Sequence, residues 1–160
     1  METTVSNFKL EIENIGMWHT DSGTNYKESF VAESLTKKAG SNYIVELGKL
    51  IEKQVSLDDA QLKRTRDVYI PFPFSVKYDI NFVIPDGFAV EGVENLNQRV
   101  ENETGGFVST AKIEGRNVVI HVKKYCSANY FPAKDWGRIT TVIQSANNFY
   151  NTKLLLKKTS

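Results

Sequence analysis

Cys126, His121 and Asp135 are the residues whose types could do nucleophilic chemistry: a thiol, an imidazole base and a carboxylate to orient it. Their spacing argues against it. His121 and Cys126 stand five positions apart in an alternating segment, which in a strand means roughly 16 Å of separation and opposite faces. A nucleophile and its base need hydrogen-bond contact. The run Lys124-Tyr125-Cys126-Ser127-Ala128 does not set the thiol at a helix N-terminus, and His19 is the one other histidine. Cys126 therefore reads as structural, no catalytic residue is assigned, and the chain reads as not an enzyme. One cysteine and two histidines are too few for a cysteine- or histidine-based metal cage. Gly105-Gly106 leads into a strand, and no Gly-Lys-Ser/Thr follows anywhere, so no phosphate loop is present. The reading includes no metal and no cofactor.

Binding chemistry has better candidates. Trp18-His19-Thr20-Asp21 lies in a segment rich in polar turn formers; the first expectation is a packed Trp18, and the alternative is a binding loop with an aromatic platform. Tyr69, Phe72, Phe74 and Tyr78 flank Pro71 and Pro73. Proline-interrupted strands belong at sheet edges, and the first expectation is that these aromatics cover the end of the core. The alternative is a solvent-facing row that holds glycan or peptide. Trp18, His19, Tyr69, Phe72 and Phe74 are thus the candidate ligand-binding residues. His121, in step with Val119 and Lys123, is expected on one sheet face as an ordinary histidine. Asn102-Glu103-Thr104 fits the N-glycosylation pattern, which is short enough to arise by chance.

The elements that must position these residues are mostly strands. Phe8, Leu10 and Ile12 alternate with charged residues, and Tyr26 to Ala32 alternates more weakly. Tyr43, Val45 and Leu47 form a third alternating run. Residues 52–63 turn polar, with Ser56-Leu57-Asp58-Asp59 as a cap for a short helix. Val76 to Ile84 alternates cleanly until Pro85-Asp86-Gly87 turns the chain. Asn97–Glu103, Phe107–Ile113 and Val118–Tyr125 read as a meander, broken at Gly105-Gly106 and at Glu114-Gly115-Arg116. From Pro132, apolar residues at 136, 139, 142, 143, 146, 149 and 150 define one helical stripe. Asn147, Asn148 and Asn151 mark its frayed end, and Lys153–Lys158 reads as a closing strand. The expected fold is mainly β: an antiparallel β-sandwich with one helix near the C-terminus followed by a final strand. The strand–helix–strand ending would permit one parallel pair.

The 160 residues suit a single β-rich domain, 1–160, with a sub-boundary near 52–63. Twenty basic against 19 acidic residues give no field for nucleic acid, and the lysine pairs 37–38, 123–124 and 157–158 read as solvated faces and edge protection. No apolar run approaches the roughly 20 residues that span a bilayer.

From about Lys37 onward the chain resembles a known family. The resemblance rests on Lys37-Lys38-Ala39-Gly40-Ser41-Asn42-Tyr43-Ile44, on Val76 to Phe88 with Ile84-Pro85-Asp86-Gly87, and on Val100 to Phe107. Lys124-Tyr125, Pro132-Ala133-Lys134-Asp135-Trp136 and Leu154-Leu155-Leu156-Lys157-Lys158 complete it. These segments are similar to the C-terminal β domain of bacterial transglutaminase-like proteins. The resemblance implies a non-catalytic accessory domain whose partner is the transglutaminase-like core of its parent chain. It also implies a periplasmic or extracellular place for that parent. No motif of the catalytic core matches here, so no catalytic residue is carried over.

Overall fold

A computed structural model describes residues 10–20, 23–32 and 35–159, with side chains over 35–159. The first two strands, β1 (Leu10–Thr20) and β2 (Gly23–Ala32), pair as an antiparallel hairpin with a register shift between Ile12 and Asn14. Phe8, expected in β1, lies outside the described residues.

The rest of the chain builds two four-stranded antiparallel sheets. One contains β3 (Thr36–Ala39), β4 (Asn42–Val45), β7 (Phe88–Glu91) and β12 (Leu154–Lys158) in the order β3-β4-β12-β7. The other contains β6 (Phe74–Val83), β8 (Gln98–Asn102), β9 (Gly105–Glu114) and β10 (Asn117–Cys126) in the order β6-β10-β9-β8. A two-stranded bridge joins β5 (Val68–Tyr69) to β11 (Tyr130–Phe131). A short helix α1 (Asp59–Leu62) precedes β5, and the long helix α2 (Trp136–Tyr150) precedes β12. The fold is mainly β, with one long helix near the C-terminus and a strand after it.

Alternation explains the larger sheet. Val118, Ile120 and Val122 of β10 are buried while His121 and Lys123 face water. Every second residue of β6 is likewise turned inward. Phe107 and Phe149 are fully buried and meet with ring centroids 5.5 Å apart, so α2 packs on β9 through the apolar stripe expected for it. The stripe also holds Thr140 and Ser145, both buried, and Thr140 Oγ1 satisfies itself on the Gly137 carbonyl at 2.9 Å. The helix end is capped rather than frayed: Asn151 Nδ2 donates to the Asn147 carbonyl at 2.8 Å.

Several expectations are corrected. The described strand pairs are all antiparallel, including those of β12 with β4 and β7. The helix does not return the chain to the sheet it left, so no βαβ unit forms. The run 43–47 ends as a strand at Val45, and Leu47–Leu50 makes a 3-10 turn. That turn sits so close to the end of α2 that a Cβ on Gly48 would strike the Phe149 carbonyl. Asp58 does cap α1, in a capping box with Gln61.

Replacing Phe149 with alanine is expected to cost about 3–5 kcal/mol, read as a fall in the urea midpoint. Phe72→Ala, on an exposed side chain, is expected to stay within about 0.5 kcal/mol. Equal effects would mean that α2 is not held through Phe149.

Candidate functional site

Three surfaces carry the candidate residues. The first is built on β5 and β11. Tyr69 and Tyr130 are register partners with rings 4.9 Å apart, and both are open to solvent, Tyr69 at 75%. Asp67 braces the bridge, accepting from Tyr130 Oη at 3.0 Å and from the Ala133 amide at 2.9 Å. The Ile70 amide donates to the Asn129 carbonyl at 2.9 Å. Phe72, between two prolines, is 67% exposed. Tyr69 and Phe72 therefore do not cover the core, contrary to the first expectation. A two-residue strand followed by Pro71 and Pro73 has no ladder long enough to turn its side chains under the sheet. Phe74 and Tyr78, on the inward set of β6, are half-buried.

The second surface is the outer face of the larger sheet at the Cys126 end. A shallow open pocket of about 330 Å³ is lined by Pro73, Phe74, Ser75, Lys123, Tyr125 and Cys126. The Tyr125 ring lies across Gly106, its register partner, where any Cβ would collide with it. Its hydroxyl donates to Glu101 Oε1 at 3.2 Å, and Arg99 pairs with Glu101 at 2.7 Å. Lys123 Nζ stands 4.7 Å from the Tyr125 ring centroid, a cation–π contact. Gly105 and Gly106 thus belong to β9 rather than to a break. The turn falls at Glu103-Thr104, with Asn102 Oδ1 accepting from the Thr104 amide and hydroxyl at 2.9 and 2.7 Å. The glycosylation-like triplet is an Asx turn, and its Asn102 Nδ2 is spent on the Arg138 carbonyl at 3.1 Å.

The third surface is the hairpin. Trp18 and His19 stand on β1, paired with Asn25 and Thr24, so the expected loop is a strand. Polar turn formers do not end a strand whose partner supplies its backbone hydrogen bonds. Their side chains lie outside the described residues.

The candidate nucleophilic residues hold separate partners. His121 Nδ1 meets Asp79 at 2.6 Å, Asp135 pairs with Arg138 at 3.3 Å, and Cys126 Sγ reaches the Ala128 carbonyl at 3.5 Å. Among the described residues, no three His, Cys, Asp or Glu side chains gather as a metal site, and no helix is long and apolar enough to cross a membrane. Lys124 corrects the solvated-lysine expectation. It points inward and donates to Glu52 Oε1 at 3.1 Å and Gln54 Oε1 at 2.8 Å, holding the segment after Ile51 against the sheet.

Residues 43–156 match the Domain of Unknown Function family DUF3858. The chain belongs to that family. The matched span opens at Tyr43 and closes at Leu156, which are register partners across β4 and β12, so DUF3858 here takes in the larger sheet, α2, β7 and most of β4 and β12, with β3 before it. Tyr69, Phe72 and Phe74 fall within the DUF3858 span, and Trp18 and His19 fall before it. No curated protein and no solved structure matches the chain.

The Asp67 contact has a measurable consequence. Its hydrogen bond holds the Tyr130 phenol protonated and pushes its pKa above the ordinary value, with partial desolvation and the Asp67 charge acting the same way. A pKa raised by folding gives stability that is complete below the unfolded value and lost as pH rises through the folded one. Tyrosinate absorbance, assigned by difference with Tyr130→Phe, is expected to place Tyr130 above an unperturbed tyrosine. Asp67→Asn should bring it back down; an unchanged titration would remove Asp67 as the cause.

Proposed function

We propose that this chain is a non-catalytic accessory domain that docks on the transglutaminase-like core of its parent protein through the aromatics of the β5–β11 bridge and the Phe72 segment. The observation that carries docking is the exposure of Tyr69, Phe72 and Tyr130, at 75%, 67% and 42%. Large aromatics presented to water on braced backbone are what interface anchors require, because little ordering remains to be done on binding. The core as partner rests on the family resemblance of residues 37–158, and the accessory role rests on the absence of a catalytic motif in the sequence. Inter-domain contacts of this kind bury about 600–1,500 Å².

A second reading, a glycan- or peptide-binding module, is favoured by the open pocket beside Phe74, where Lys123 and Tyr125 add polar groups to an aromatic wall. One experiment separates the two. A photoreactive phenylalanine analogue at position 72, introduced in the source cell, should crosslink to a segment carrying a transglutaminase-like Cys-His-Asp core. Tyr69→Ala should weaken that contact by about 2 kcal/mol, roughly thirty-fold. Absence of such crosslinks, with binding on a glycan or peptide array that Phe74→Ala and Tyr125→Ala abolish, would replace docking by the second reading.

A further inference from the structure

The β6 edge differs from the other edges of the two four-stranded sheets. In the larger sheet the opposite edge strand, β8, lies against α2, to which Asn102 and Gln98 are hydrogen-bonded. In the smaller sheet the edges β3 and β7 are four residues each. By contrast β6 runs ten residues in unbroken alternation, pairs only with β10, and has no backbone partner on its far side among the described residues.

The direction of its free groups is set by the ladder. The Ile84 amide donates to the Arg116 carbonyl at 2.8 Å, which makes the residues opposite each other there a bonded pair. Bonded pairs alternate in an antiparallel ladder. The even-numbered residues of β6 therefore bond to β10, and Ser75, Lys77, Asp79, Asn81 and Val83 aim their N–H and C=O groups at the open edge. The same phase appears across β10, where the Ser127 amide donates to the Thr104 carbonyl at 3.1 Å on the β9 side.

We propose that β6 pairs antiparallel with β6 of a second copy of this chain, about a two-fold axis at Tyr78. The charges select this register. Lys77 lies opposite Lys123 within its own sheet and makes no ion pair among the described residues. Like charges directly opposite are unfavourable. An axis at Tyr78 sets Lys77 of each copy against Asp79 of the other, giving two ion pairs by symmetry. An axis at Lys77 would oppose lysine to lysine, and one at Asp79 would oppose aspartate to aspartate. With the axis at Tyr78, Ser75 faces Asn81 of the other copy. On the inner face Phe74 meets Phe82 and Val76 meets Ile80, so the apolar side continues from one sheet into the next. The arrangement is isologous and closed, and it covers an edge that would otherwise template open-ended addition.

Sedimentation equilibrium of the whole chain from micromolar to millimolar concentration tests this. A reversible dimer of the 18.1 kDa chain is expected, with the amides of Ser75, Lys77, Asp79 and Asn81 exchanging more slowly as concentration rises. Asp79→Lys should weaken association roughly tenfold or more, and Lys77→Asp combined with Asp79→Lys should restore it. Circular dichroism checks that each variant is folded; if Asp79→Lys is not, Lys77→Asp alone makes the same test by opposing Asp79. A chain monomeric throughout, or a dimer that neither charge reversal weakens, overturns the proposal.

Discussion

The contact between Phe149 and Phe107 is the one on which the rest of the domain depends. Both rings are fully buried, and each comes from a different layer, the last turn of α2 and the start of β9. Aromatic side chains bury about 150–250 Å², which at about 25 cal/mol per Å² is roughly 4–6 kcal/mol each, comparable with the net stability of a small domain. The contact also sets direction. Gly48 lets the 3-10 turn after β4 close onto the Phe149 carbonyl. The chain leaving α2 then enters β12 at Leu154, which is buried opposite Val45. One helix end thus fixes both where the larger sheet is covered and where the smaller sheet receives β12, one of its two inner strands.

Polar contacts then fasten what the core does not reach. Trp136, at the first turn of α2, donates Nε1 to the carbonyls of Gln61 and Leu62 at 2.9 and 3.2 Å. That hold matters because α1 has no buried residue of its own. Glu46 is buried yet paired with Lys49 at 2.8 Å, and buried Gln54 accepts from Lys124. A charge or amide taken out of water must find such a partner or cost several kcal/mol. The segment from Ile51 to Asp67 is therefore tied at both ends, and the exposed aromatics beyond it stand on a fixed base.

Alternation and helical spacing made β6, β10 and α2 legible in the sequence, because each buries one face along its whole length. The Pro85-Asp86-Gly87 turn was legible for a local reason: Gly87 takes φ 77° and the Phe88 amide returns to the Pro85 carbonyl at 3.2 Å. The destination of β7 after that turn was not legible, since the alternation of Phe88 to Val90 does not say which sheet receives it. Gly105-Gly106 misled because glycine pairs are commoner in turns; here a cross-strand tyrosine needs the space, a relation between residues 19 positions apart. Lys124 misled because a lysine next to another lysine reads as surface, while strand parity turns the second one inward. Of the candidate binding residues, Tyr69 and Phe72 were found by their prolines, but their exposure depended on how short β5 is. Tyr130, the partner that completes the patch, carried no signal, because only the β5–β11 pairing brings it to Tyr69.

The aromatic patch and the β6 edge are contiguous in sequence yet separable in chemistry, and Pro73 is what separates them. A strand added along β6 uses main-chain groups, which are blind to side chains and gain their selectivity from register and charge. Proline has no N–H to give, so a ladder advancing toward the start of β6 loses its donor at Pro73. Phe72 and Tyr69 lie beyond that stop. They would remain open to a partner that recognises aromatic surface even while β6 is paired, and neither occupant would have to displace the other. A proline at the boundary would thus let one short stretch, residues 69–83, offer a register-reading edge and an aromatic surface at the same time.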